Sequence, residues 1–339
     1  MRPDRETPRA HPGPENSLDK RARTIDDQAE SVKPLVRWGR AYFAMQAVVG
    51  LCWWIAVFDS PMVREATLGT LDPVTVAVID IPLFVIASAV AAFGVRAAAV
   101  VSTGWTSFVA VALAVYATTT TEAGWGVLSM GAATAGSLIA LCLILLGRVP
   151  ITWIIRGPFA FRPAVTRPTA TIHVATTFGQ IVFFWGFFLA VLPLAIAFLA
   201  QRWALALPFP SFAGPLGVVV LGLASALGIW SAVVMSTLGD GTPLPSAMPN
   251  RLVIKGPYRW IRNPMAVAGI VQGAAIGLIL QSWLVIAYAV VGSLVWNYAV
   301  RPLEESDLEE RFGEEFQQYR DTVRCWIPKV SRSQSSQMR

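Results

Sequence analysis

Between Asn263 and Val300 the chain carries no charged side chain. One helix through that stretch would be about 57 Å long at 1.5 Å per residue, almost twice the hydrocarbon core of a bilayer. The stretch must therefore turn back. The polar pair Gln281-Ser282 divides it into two short spans, a helical hairpin whose ends return to the same side. Uncharged or nearly uncharged stretches of spanning length also occur at 41–58, 74–95, 97–121, 123–147, 174–200 and about 214–238. The expectation is an all-α integral membrane protein with eight transmembrane helices. Of the 339 residues 55% are hydrophobic and only 14% charged, which excludes an ordinary soluble domain and argues equally against disorder.

The basic residues orient these spans. With the N-terminus inside, every one of the 27 Lys and Arg residues except Arg64 and Arg202 falls on the inner side. Under the positive-inside rule both ends are expected to be cytoplasmic. The net charge of +6 thus reads as orientation and not as a nucleic-acid footprint. Residues 1–35 are polar, without an apolar period, and read as a disordered cytoplasmic tail. Residues 36–147 form an N-terminal four-helix transmembrane module rich in Ala, Val, Thr and Gly. A Pro/Arg-rich connector at 148–170 suits the membrane interface, 171–330 forms a second core, and 331–339 is a short disordered tail.

The chemistry concentrates between Gly239 and Pro328. Gly239-Asp240-Gly241-Thr242-Pro243-Leu244-Pro245 cannot continue a helix. Asn250-Arg251-Leu252-Val253-Ile254-Lys255-Gly256-Pro257-Tyr258 and Arg259-Trp260-Ile261-Arg262-Asn263-Pro264 then place four bases and two aromatics directly before the hairpin. After it come Arg301, Glu304 and Glu305, and a run in which Leu308, Phe312, Phe316 and Tyr319 recur at helical spacing, an amphipathic helix with one covering face. The hairpin brings the Arg262-Asn263-Pro264 entrance and the Glu304-Glu305 exit together at the membrane surface. Composition leaves two readings of that meeting point. One is an interfacial salt bridge; the other is a site between water and lipid, suited to a charged soluble cofactor and a lipid-dissolved substrate.

The blocks GDGTPLP, NRLVIKGPYRWIRNPM, a short apolar hairpin, EE and FGEEFQQY occur in an order and spacing that resembles the superfamily of isoprenylcysteine carboxyl methyltransferases and phospholipid methyltransferases. The resemblance covers roughly the last 100 residues. It implies an integral membrane enzyme that transfers a methyl group from S-adenosyl-L-methionine without the soluble dinucleotide-type fold. Carried over by position, it assigns Leu252, Val253, Gly256, Tyr258, Asn263, Pro264 and Glu304 to the cofactor. Arg262, Glu304 and Glu305 go to the reaction centre and Arg301 to the substrate side. A carboxylate and aromatic faces are natural partners for a sulfonium and an ammonium, and Arg262 is expected to hold Glu304 or to contact the cofactor carboxylate. Two positions depart from the pattern. Ala266 stands where the family often has Tyr, and Val300, with Arg301 next to it, stands where isoprenylcysteine enzymes commonly have a substrate-side arginine.

Other polar residues carry less. Asp80 lies inside the second span and is either a functional group or a structural one hydrogen-bonded to a neighbouring Ser or Thr. His173 reads as an interface residue, and His11 with it makes too few histidines for a metal centre. Cys52, Cys142 and Cys325 are far apart and read as structural thiols, with no zinc or disulfide spacing. No metal and no nucleic acid is expected. The partners are a lipophilic or small membrane-permeable methyl acceptor and membrane lipids. The Ala-, Val- and Arg-rich composition suits a bacterial plasma membrane. Two rival functions remain: an NADPH-dependent sterol-type reductase, and a non-enzymatic transporter or scaffold.

Overall fold

Proline and glycine punctuate the chain, and the helices start and stop accordingly. The computed structural model describes residues 15–150, 185–239 and 250–328, with 179, 182 and 183, and side chains from residue 34 onward. All regular structure in these residues is helical. The connector at 148–170 beyond Pro150, His173, the 240–249 run and the extreme tails lie outside the described residues. The chain divides into two compact units, Met1–Pro150 and Ile151–Arg339.

In the first unit α1 (Glu15–Asp59) enters its apolar part at Pro34. It is described from Glu15, inside the segment read from sequence as a disordered tail. Helix α2 (Pro61–Leu68) is capped by the Ser60 hydroxyl, and α3 (Pro73–Asp80) by the Asp72 carboxylate. Both place proline at the first helical position, where its missing N–H costs nothing. A π-helical stretch at Ile81–Ile86, which contains Pro82, joins α3 to α4 (Ala87–Ala92). Helices α5 (Arg96–Thr120) and α6 (Gly124–Leu146) complete the unit.

Small residues let these helices approach. A Cβ on Gly39 would lie 2.8 Å from the Ala140 carbonyl oxygen, and the ring of Tyr42 occupies the space beside Gly136. Between the helices runs a buried polar network that the sequence did not disclose. The Gln46 amide donates to Ser88 (3.1 Å) and Ser102 (3.2 Å), and its carbonyl accepts from Ser137 (2.8 Å). One glutamine thus ties α1 to α4, α5 and α6, the kind of interhelical hydrogen bond that substitutes for a hydrophobic drive inside lipid. Asp80 is also fully engaged, but not by Ser or Thr as expected. The indole N–H of Trp54 donates to one oxygen (2.9 Å) and that of Trp105 to the other (2.7 Å).

In the second unit a π-helical stretch at Gly186–Val191 leads into α7 (Leu192–Arg202), followed by α8 (Ala213–Leu238). The expected hairpin is present. Helix α9 (Pro264–Ile279) ends at Leu280, Gln281 turns with φ 49°, and α10 (Trp283–Val295) returns. The return is close because Gly277 has no side chain where Ile286 packs. The Trp283 indole donates to the Leu205 carbonyl (2.7 Å), fixing the hairpin tip to the loop after α7. Through a π-helical stretch at Trp296–Val300, α10 runs into α11 (Arg301–Thr322). The amphipathic segment is therefore a continuation of the last span and not a separate helix. It breaks at Gly313, whose φ of 51° and ψ of −125° are not helical.

Among the described residues six helices are long and apolar enough to cross a membrane: Pro34–Asp59, Pro73–Ala92, Arg96–Thr120, Gly124–Leu146, Ala213–Leu238 and Trp283–Thr322. Gly186–Arg202 and Pro264–Ile279 are apolar but shorter. Outward-facing side chains are apolar along these helices, among them Val48, Ile55, Phe108, Val115, Phe198 and Leu223. A helix that exposes Val, Leu and Phe along its length is solvated by lipid.

Candidate active site

The site is built where α9 begins and α11 begins. Arg262, the last base before the hairpin, lies 3.2 Å from Glu305, the second acid after it. Entrance and exit of the hairpin meet as the sequence predicts, but through Glu305 rather than Glu304. The ion pair is mostly buried, with side-chain exposures of 11% and 20%. It holds charge against charge without a formed hydrogen bond: Nε and Nη1 of Arg262 and Oε1 of Glu305 are buried with no hydrogen-bond partner, and so is Nε of Arg301. Two guanidinium groups thus keep unused donors at one end of the hairpin.

Glu304 differs from its neighbour. The charge-free part of its helix ends at Val300, and Glu304 lies beyond it, in the first turn of α11. Burial, reinforced by the adjacent charges of Glu305 and Asp307, pushes its carboxyl up to about 7. Its charge also bears on Tyr258, whose phenol is raised far above its ordinary value, chiefly by burial. Two consecutive carboxylates are therefore held differently: Glu305 is matched by Arg262, and Glu304 has no paired cation among the described residues.

The segment before the hairpin packs against α11. Val253, Pro257 and Tyr258 are buried, and Leu252 packs with Leu308, Phe312, Phe316, Tyr319 and Val323. The apolar face of α11 thus covers the segment that the sequence singled out. Gly256 allows the turn into the short 3₁₀ helix Gly256–Arg259. Its φ is +60°, and a Cβ there would lie 2.9 Å from Val234 on α8. Tyr258 donates to the Ser231 carbonyl (3.4 Å), and its own carbonyl accepts from the Tyr319 hydroxyl (2.6 Å). Arg259 stacks 4.0 Å over Trp260, which meets Trp230 edge-on.

A closing strap was not anticipated. Residues 323–326 fold back on the hairpin mouth, where the Arg262 N–H donates to the Arg324 carbonyl (3.1 Å) and the Asn263 amide donates to Cys325 Sγ (3.6 Å). The Trp326 indole donates to Asn297 (3.0 Å) and packs edge-on against Trp296. These contacts are backbone carbonyls, a thiol and an indole, and no spacing in the sequence announces them. All ten residues assigned from the resemblance lie in the described segments, from Leu252 to Pro264 and from Arg301 to Glu305. Among the described residues no group of three or more His, Cys, Asp or Glu side chains converges to ligate a metal.

No curated protein and no solved structure matches the chain. A family model does. Its matched segment begins one residue before α8 and ends shortly after the break in α11, so it contains the hairpin, Arg262, Glu304 and Glu305 but neither Tyr319 nor the strap. Residues 212–315 match the phospholipid methyltransferase family, a member of the same superfamily of membrane methyltransferases that the motifs resemble.

Proposed function

We propose that this chain is an integral membrane methyltransferase that uses S-adenosylmethionine to methylate a lipophilic or small membrane-permeable acceptor at the cytoplasmic membrane face. The reading rests on one observation. Near the hairpin mouth Glu304 has no paired cation among the described residues, and Arg262 and Arg301 keep guanidinium donors with no hydrogen-bond partner. The cofactor carries a sulfonium, an ammonium and a carboxylate, so its charges complement both kinds of unsatisfied group. Glu304 would hold the cationic end and the free edge of Arg262 the carboxylate, with Leu252, Val253, Tyr258 and Pro264 as apolar wall. Gly256 and Asn263 shape the backbone there.

When bound, the cofactor supplies a methyl carbon already activated by its sulfonium. The tasks left to the chain are alignment and exclusion of water. Arg262 and Glu305 fix the hairpin mouth, and α11 with the 323–326 strap covers it. Tyr258, kept protonated by burial, serves as a donor and not as a base. Arg301 faces the acceptor side through its free Nε. A carboxylate or thiolate acceptor loses its charge in the reaction, so a dry site favours it; an amine acceptor has to be held neutral.

The topology that goes with this reading has eight spans and both ends cytoplasmic, in a bacterial plasma membrane. The shorter helices Gly186–Arg202 and Pro264–Ile279 are its fifth and seventh spans. The test is calorimetric titration of detergent-purified wild type and Glu304→Gln with S-adenosylmethionine and with NADPH. Saturable S-adenosylmethionine binding, lost in the variant, supports the proposal. NADPH binding alone would convert it to a reductase, and binding of neither by folded protein would sink both.

A further inference from the structure

A second site lies in the first unit and does not depend on the methyltransferase reading. Helices α1, α2, α3, α5 and α6 line a cavity of about 330 Å³, at the lower end of the range for small-ligand sites. Its wall is almost entirely apolar and aromatic, with Trp53, Leu68, Val76, Trp105 and Met130, and Asp80 is the one charged residue lining it. Tyr116 also lines it, and the Tyr116 hydroxyl donates to Glu122 (2.6 Å).

Two features specify what the cavity suits. Both oxygens of Asp80 accept an indole N–H bond. Indoles are neutral donors, so they orient this charge without cancelling it, and no ion pair with Asp80 exists among the described residues. A carboxylate inside a membrane span is costly unless a cation joins it. In addition, Trp53 and Trp105 line the cavity with Asp80, and aromatic rings supplement a carboxylate in ammonium recognition.

We propose that this cavity binds a lipophilic amine, its ammonium against Asp80 and its alkyl body among Leu68, Val76 and Met130. The chain would thus hold an amphiphilic cation within its N-terminal module, a role that the membrane-spanning position of Asp80 alone does not specify.

The test is equilibrium dialysis of the full chain in detergent with radiolabelled decylamine, decanol and decanoate. Wild type is expected to bind one decylamine saturably, at least tenfold more tightly than decanol, and decanoate not at all. Asp80→Asn should bring decylamine down to the level of decanol. Val109→Phe, which narrows the cavity while leaving both indole donors in place, should remove saturable binding of either. Equal affinity of wild type for decylamine and decanol would overturn the proposal in favour of a neutral lipid pocket. So would decylamine binding that survives Val109→Phe. If Asp80→Asn loses its monodisperse elution, the amine-to-alcohol ratio and the Val109→Phe result still decide.

Discussion

If Glu304 holds the cationic end of S-adenosylmethionine, binding must depend on pH in a defined way. The free carboxyl titrates at about 7, because burial and the charges of Glu305 and Asp307 disfavour its ionised form. A bound sulfonium and ammonium favour that form, so the ligand binds the ionised site and releases a proton where Glu304 was protonated. Affinity should be nearly flat above pH 8 and fall about tenfold for each pH unit below 7. The cofactor ammonium stays protonated throughout that range. The assay is calorimetric titration from pH 5.5 to 8.5 in two buffers of different ionisation enthalpy, which counts the protons released. Close to half a proton is expected at pH 7, falling to none above pH 8.5. In Glu304→Gln the pH slope should disappear along with most of the affinity. Stability supplies the counter-sign. An acid whose folded titration point is raised stabilises the fold only while protonated and loses that contribution as pH rises through about 7, so without cofactor Glu304→Gln should melt no lower than wild type at pH 8. A wild type whose affinity does not change between pH 5.5 and 7 would refute the assignment of Glu304.

Three further substitutions test the frame around that carboxylate. Arg262→Met leaves Glu305 buried without its cation, which should cost about 3 kcal/mol and lower the thermal midpoint in a scan of detergent-purified protein. Tyr319→Phe removes the 2.6 Å donor to the Tyr258 carbonyl and should cost about 1–3 kcal/mol, with proteolysis beginning in the 314–328 segment. Gly256→Ala places a side chain at φ +60° and 2.9 Å from Val234; a loss of about 1–2 kcal/mol and weaker cofactor binding are expected from calorimetry.

Much of the second unit is legible because its constraints are long-range and crude. A charge-free stretch too long for one crossing must fold back, and folding back places Arg262 near the Glu304-Glu305 pair whatever the details. Helical spacing of Leu308, Phe312, Phe316 and Tyr319 likewise foretells the face that covers Leu252. Which glutamate takes the arginine is decided by the helix register after the π-helical stretch Trp296–Val300, and register is a matter of about 100° per residue that no composition encodes. The first unit was less readable. Gln46, Ser88, Ser102 and Ser137 are single polar residues on four helices, and only packing shows that they converge. The partners of Asp80 were misread for a related reason: Trp54 and Trp105 look like packing or interface residues until their N–H groups find one carboxylate.

The contrast between the two glutamates carries the strongest argument about the site. Adjacent carboxylates that served only to fasten the hairpin would both be expected to find cations or water, since an ionised group left buried is a net cost. Glu305 satisfies that expectation through Arg262. Glu304 is partly exposed and takes no cation among the described residues, although Arg262 and Arg301 keep unused donors. Pairing Glu304 as well would remove the unmatched negative charge and, with it, any affinity for a cation. A structure that fastens one acid and withholds cations from the next keeps a charge in reserve, and the ligand that repays its burial has to bring positive charge of its own. That logic depends only on the arrangement of Arg262, Glu304 and Glu305, so reversing it by a double variant is informative. Glu304→Gln combined with Glu305→Gln should leave Arg262 buried with no counter-charge and cost more stability than Glu304→Gln alone, by about 2–4 kcal/mol. If the two variants melted at the same temperature, Arg262 and Glu305 would not be the fastening pair, and the division of roles between the two acids would fail.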